Sequence, residues 1–114
     1  IHFLENAKEL FKKRVFDLAA FNVEQFCQLY LKYKLMLMVG DFPRTHSIRD
    51  LFMQISKLKG GKKIRRFVEE NASVIGNLES AYITSRYLPR RFAKDEVREM
   101  LAFSRRFKKF VDEL

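Results

Sequence analysis

The chain has 114 residues, 47% of them hydrophobic and 14% aromatic, and carries a formal net charge of +9. That apolar content excludes a disordered chain, and the length suits one domain that buries about two-thirds of its unfolded surface. A lone cysteine excludes a disulfide framework or a cysteine-based metal site, and a pI near 9.9 marks a protein that attracts polyanions at long range without sequence choice.

Apolar residues recur at helical spacing almost throughout, and no strand-like alternation is sustained. A first helix is expected from about Phe3 to Ala19, with Leu4, Ala7, Phe11, Val15 and Leu18 along its inward stripe. A second runs from about Ala20 to Val39. It holds Phe26, Cys27, Tyr30 and Leu31, and ends in the run from Leu35 to Val39. That run is apolar on all sides, so it is expected to be covered by the bundle or by a second subunit. Cys27, among apolar neighbours, reads as a small core residue. Gly40 is the expected C-cap, followed by the connection Asp41-Phe42-Pro43.

Ser47 is the natural N-cap of a third helix, with Asp50 as its capping-box partner and Leu51, Phe52, Ile55 and Leu58 on its buried face. Gly60-Gly61 breaks the chain. A fourth helix is expected from about Ile64 to Tyr87, with Phe67, Val68, Val74, Ile75, Leu78, Tyr82 and Ile83 inward. Gly76 weakens it by roughly 1 kcal/mol relative to alanine, which suggests close packing or a bend. Pro89 stops it. A fifth helix spans about Lys94 to Glu113, with Val97, Leu101, Ser104, Phe107, Val111 and Leu114 as its stripe. The fold class is all-α: an antiparallel up-and-down bundle of about five helices forming a single domain over 1–114. No signal-peptide pattern opens the chain and no apolar run nears the ~18 residues of a membrane span, so a cytoplasmic protein without membrane contact is expected.

The basic residues cluster. Lys57, Lys59, Lys62, Lys63, Arg65 and Arg66 surround Gly60-Gly61 with no acid among them. Arg86, Arg90, Arg91 and Lys94 form a second acid-free group, and Arg105, Arg106, Lys108 and Lys109 a third. Arginine donates two parallel hydrogen bonds to a phosphate, which makes the second group the best anion site. Arg86 also lies near a helix C-terminus, where a cation is stabilised by about 0.3–1 kcal/mol in any case. His46, the only interior histidine, sits just before a helix start, where an imidazole can meet a phosphate or simply cap backbone groups. Most aromatics fall on inward stripes and read as core. No Gly-rich phosphate loop, zinc histidine pair, nucleophile elbow or acidic two-metal cluster is present, so neither a metal nor a cofactor is expected. From the residues alone, the chain is a basic helical binding module.

Several phrases resemble those of the HEPN domain family (higher eukaryotes and prokaryotes nucleotide-binding), over nearly the whole chain. Asp17-Leu18, Gln25 and Lys32 match its helical pattern, although Gln28 and Leu29 replace the usual Glu and Lys. Thr45-His46-Ser47-Ile48, followed by Leu51, resembles its Thr-His-Ser-Leu phrase. Tyr82-Ile83-Thr84-Ser85-Arg86-Tyr87 resembles its Tyr-Ile-x-Ser-Arg-Tyr phrase, with Leu88 intervening before Pro89. The resemblance implies a helical homodimer, often acting beside a small nucleotidyltransferase as a toxin–antitoxin pair. It also implies Arg86, Tyr87, Arg90, Arg91, His46 and Lys32 as the residues meeting a nucleotide or RNA phosphate. Many such relatives are metal-independent RNases whose arginine is followed, after four to six residues, by a histidine. Counted from Arg86, that histidine would fall at Arg91, Phe92 or Ala93 and is absent. The leading expectation is therefore a non-catalytic homodimer that binds nucleotide or RNA beside a nucleotidyltransferase partner. The alternatives are an RNase toxin that uses His46 and a module that only binds other proteins.

Overall fold

The computed structural model describes residues 2–86 and 91–114, with the backbone alone for 83–86. Among the described residues there are six helices and no strand: α1 (Phe3–Lys12), α2 (Phe16–Val39), α3 (Ile48–Ser56), α4 (Gly61–Glu70), α5 (Ala72–Arg86) and α6 (Lys94–Asp112). The all-α bundle is as the sequence indicates, but two of the expected five helices are divided differently.

The first correction lies at Arg14. The first helix does not reach Ala19; it ends at Lys12, and the second starts at Phe16 instead of Ala20. Arg14 takes a left-handed backbone with φ of 62°. The Arg14 N–H donates to the Phe11 carbonyl at 3.0 Å and the Val15 N–H to the Leu10 carbonyl at 2.8 Å. These are the two bonds of a Schellman stop. Glycine usually marks that position, so an arginine there leaves no signal in the sequence. The guanidinium of Arg14 lies 5.4 Å from the Phe16 ring centroid, and Phe11 packs on Phe16 at 5.6 Å across the turn. Because the chain reverses here, Val15 and Leu18 are exposed and not part of the inward stripe.

The second correction lies at Asn71, which divides the expected fourth helix. Its side-chain Nδ2 donates to the Phe67 carbonyl at 2.8 Å, closing α4, while its own carbonyl accepts from the Ile75 N–H at 3.0 Å to begin α5. Arg106 of α6 donates to its Oδ1 at 2.9 Å and fixes the corner. The helix α5 continues through Gly76, where an added Cβ would stand 3.5 Å from the Arg49 guanidinium in ordinary contact.

The ends at Gly40, Ser47 and Lys94 match. The helix α4 begins at Gly61, a turn before the expected Ile64, and the Ser47 N–H donates to Thr45 Oγ1 and not to Asp50. The expected end at Tyr87, with its stop at Pro89, lies outside the described residues. Ser47 Oγ accepts from the Asp50 N–H at 3.1 Å, and Gly40 and Gly60 close their turns at positive φ of 77° and 68°. At the start of α6, Glu96 accepts from the Ala93 N–H at 2.9 Å.

The core is built on α2 and α6. Phe52, Phe103 and Phe107 are fully buried, and Phe67 stacks on Phe110 with centroids 4.1 Å apart. Contacts between α2 and α6 rise together along both: Asp17 with Phe92, Phe26 with Phe107, Tyr30 with Asp112, Lys34 with Leu114. The two helices therefore run parallel. Contact of Asn71 with Arg106, while Asn77 and Glu99 line the same crevice, sets α5 antiparallel to α6. Cys27 is buried, and desolvation pushes its thiol well above the ordinary range, as suits a core residue. Of the apolar run, Leu35 is buried, but Leu37 and Val39 are 65% and 54% exposed, and Leu58 of the following segment is also exposed. Among the described residues no helix is long and apolar enough to cross a membrane.

Candidate functional site

A polar chain runs from the inside of α2 to its surface. Glu24 is fully buried, and its two carboxylate oxygens accept from Gln25 at 2.7 Å and Gln28 at 2.8 Å. Burial is the main reason its carboxyl is raised from 4.5 to about 7. The two amide bonds pull it back in part, Glu79 pushes it further up, and Lys32 opposes that push. Glu79 is held in turn by Arg49 at 3.3 Å.

Gln28 turns this chain into a site. Its amide nitrogen is used by Glu24, so its oxygen faces outward and accepts from Lys32 at 3.0 Å. A lysine ammonium only donates, which fixes the amide orientation. The His46 Nδ1 lies 3.1 Å from the same oxygen and must therefore carry the proton. Its Nε2 has no protein partner among the described residues, and the imidazole is exposed. The ring stacks on Tyr82 of α5, with centroids 4.7 Å apart and planes inclined by 21°. Lys32 is also held against the Phe42 ring, 5.7 Å from its centroid. An ammonium and an imidazole of fixed tautomer thus share one acceptor at the surface: the ammonium can bind an anion, and the bare Nε2 can accept a hydrogen bond or a proton beside it.

Of the residues expected from the sequence, His46 and Lys32 are brought together. Arg91 is exposed and stands elsewhere: its neighbour Phe92 donates its N–H to Asp17 in the first turn of α2, at 2.8 Å. Asp17 and Lys32 are separated by roughly four turns of helix. The backbone of Arg86 ends α5, one turn beyond Tyr82; its side chain, together with Tyr87 and Arg90, lies outside the described residues. Glu24 and Gln28 join the site only in the folded structure. Their only signal is a pair of polar side chains one turn apart on a helix of otherwise apolar surroundings, which is equally the pattern of a solvated face. Among the described residues no group of three or more His, Cys, Asp or Glu side chains converges as a metal site would.

The HEPN domain family matches this chain over residues 1–114. No curated protein and no solved structure matched it.

Proposed function

The chain belongs to the HEPN domain family over its whole length, a family whose membership supports a nucleotide- or RNA-related role, and from that premise we propose that it binds a nucleotide or RNA phosphate at His46 and Lys32. The observation that carries the reading is the shared acceptor: the Gln28 oxygen gathers the Lys32 ammonium and the His46 Nδ1–H. Only one of the three ammonium protons is used there, so Lys32 keeps donors for a phosphate. The bare Nε2 of His46 is an acceptor, and adds a contact to a ribose hydroxyl or base N–H of the same nucleotide. Arg86, Tyr87 and Arg90 are assigned the rest of the anion path, on the strength of their acid-free sequence, and Arg91, which lies toward the start of α2, a more distant phosphate of a bound strand. The protein works as a homodimer and beside a nucleotidyltransferase partner, in a system of toxin–antitoxin type. The exposed apolar end of α2 is the surface that supports dimerisation.

A second reading rests on the same imidazole. A histidine held in one tautomer, with Nε2 free of protein partners among the described residues, is the arrangement of a general base. It makes this chain a metal-independent RNase that uses His46.

One experiment separates the two. Labelled RNA is incubated in EDTA with the wild type, His46→Ala and Arg86→Ala. Binding without cleavage, weakened in both variants, supports the binding module. Cleavage that disappears in both establishes the RNase. Equal binding by all three overturns the site.

A further inference from the structure

The lysine-rich turn around Gly60-Gly61 is left without a role by the His46–Lys32 site. We propose that the groove between α4 and the end of α6 is a second, separate site, which binds single-stranded nucleic acid. The groove has a volume of ≈ 350 Å³ and is lined by Lys62, Lys63, Arg66, Phe67, Glu70 and Phe110. That is room for about one nucleotide, at the lower end of the range for ligand clefts.

Its floor is aromatic and rigid. Phe67 and Phe110 are stacked with planes inclined by 10°, and both are only half-buried. Phe52 and Phe103 brace them from the core side, at 5.8 Å and 5.7 Å from Phe67. A base entering the groove therefore meets a fixed apolar surface and does not have to order one.

Its walls are cationic. Lys62, Lys63 and Arg66 are exposed, and none is in an ion pair among the described residues. They follow one another along the first two turns of α4 and do not converge on one point. That spacing suits successive phosphates of a strand better than a single bound phosphate. An acidic peptide would satisfy the charges but not the aromatic floor. A duplex keeps its bases stacked away from such a floor, which selects a single strand. Glu70 opposes an anion at the groove and bounds the site. The whole length of α3, ~14 Å of helix, lies between His46 and this turn, so the two sites are distinct.

The test is binding of labelled single-stranded oligonucleotides, one RNA and one DNA, followed by anisotropy over a range of salt. Inorganic polyphosphate serves as the base-free competitor. The wild type is compared with Lys62→Glu/Lys63→Glu/Arg66→Glu, Phe110→Leu, Glu70→Gln and His46→Ala, each checked for folding by circular dichroism. The triple variant should lose at least about tenfold in oligonucleotide affinity, with a shallower salt slope by about 0.7 per lost phosphate contact. Phe110→Leu should weaken the oligonucleotides several-fold and leave polyphosphate unchanged, while Glu70→Gln should tighten both. In a His46→Ala background, whatever that change itself does to binding, the triple variant and Phe110→Leu should lose the same factors, so failure of the first site and failure of this one are read separately. Binding of RNA alone or of both strands upholds the site and tells whether the 2′-hydroxyl is used. Unchanged affinity in the triple variant overturns the proposal. So does equal loss of oligonucleotide and polyphosphate in Phe110→Leu, because the floor would then read no base. Should Phe110→Leu fail to fold, Glu70→Gln decides, and no tightening counts against the groove.

Discussion

His46 belongs to the segment before α3, yet its imidazole lies stacked on Tyr82 of α5 and reaches Gln28 of α2 through Nδ1. Two helices distant in sequence thus set the plane and the tautomer of a residue that neither of them contains. The consequence is a ring whose orientation depends on the packing of α2 against α5 and, through the Gln28 amide, on the Glu24 carboxylate that holds it.

The tautomer is the most direct test of that relationship. Nitrogen NMR of His46 in the neutral protein should show Nδ1 protonated and Nε2 bare. Gln28→Ala removes the acceptor, so both tautomers should become populated and phosphate affinity should fall several-fold. Tyr82→Ala should free the ring plane but keep the proton on Nδ1. An even tautomer mixture in the wild type would remove the basis of the site.

Glu24 makes stability depend on pH. Its carboxyl is raised from 4.5 to about 7, so the folded state holds the proton more tightly than the unfolded chain does. Ionisation of Glu24 therefore costs nothing below about 4.5, costs progressively more up to about 7, and reaches its full cost above that. Glu24→Gln removes this dependence while giving up one acceptor. Relative to the wild type, the variant should gain on the order of 2 kcal/mol between about pH 5 and about pH 8. Urea melts at several pH values measure it, and a constant difference would contradict the burial argument.

Asp17 ties the segment after α5 to the start of α2 by accepting the Phe92 N–H. Asp17→Ala leaves that amide without its partner and should destabilise the protein by about 1 kcal/mol. Asp17→Asn keeps an acceptor oxygen and should cost less. Equal denaturation midpoints for the wild type and Asp17→Ala would show that the bond contributes nothing.

The outer face of α2 carries Leu29, Tyr33, Met36, Leu37 and Val39, all exposed in the single chain. If a second copy covers them, sedimentation at micromolar concentration should give a dimer, and Leu37→Glu a folded monomer. A monomeric wild type would refute dimerisation through this face.

Much of the fold is legible before any tertiary information. Ser47, Gly40 and Gly60 announce their helix ends because capping and left-handed turns demand particular side chains, and the apolar stripe of α6 is buried from Val97 to Val111 as its spacing indicates. The breaks at Arg14 and Asn71 are not legible in the same way. The apolar periodicity passes through both, an arginine in a left-handed turn leaves no mark, and an asparagine, though it favours helix ends, is outweighed there by the continuous apolar pattern on either side.

The candidate site divides along the same line. His46 and Lys32 stand out in the amino-acid order, through the only interior histidine and the family phrases. Their meeting does not, because it depends on Gln28 accepting from both. The burial of Glu24 is likewise invisible in one dimension: Glu24, Gln25 and Gln28 are alike in polarity, and only the packing of α5 and α3 against α2 decides which of them loses water. Local chemistry writes helices and their ends into the chain, since those depend on neighbours within a few residues. Which polar group is desolvated, and which imidazole nitrogen keeps its proton, is decided by contacts between segments far apart in sequence, where the free energy of burial is set by the assembled structure.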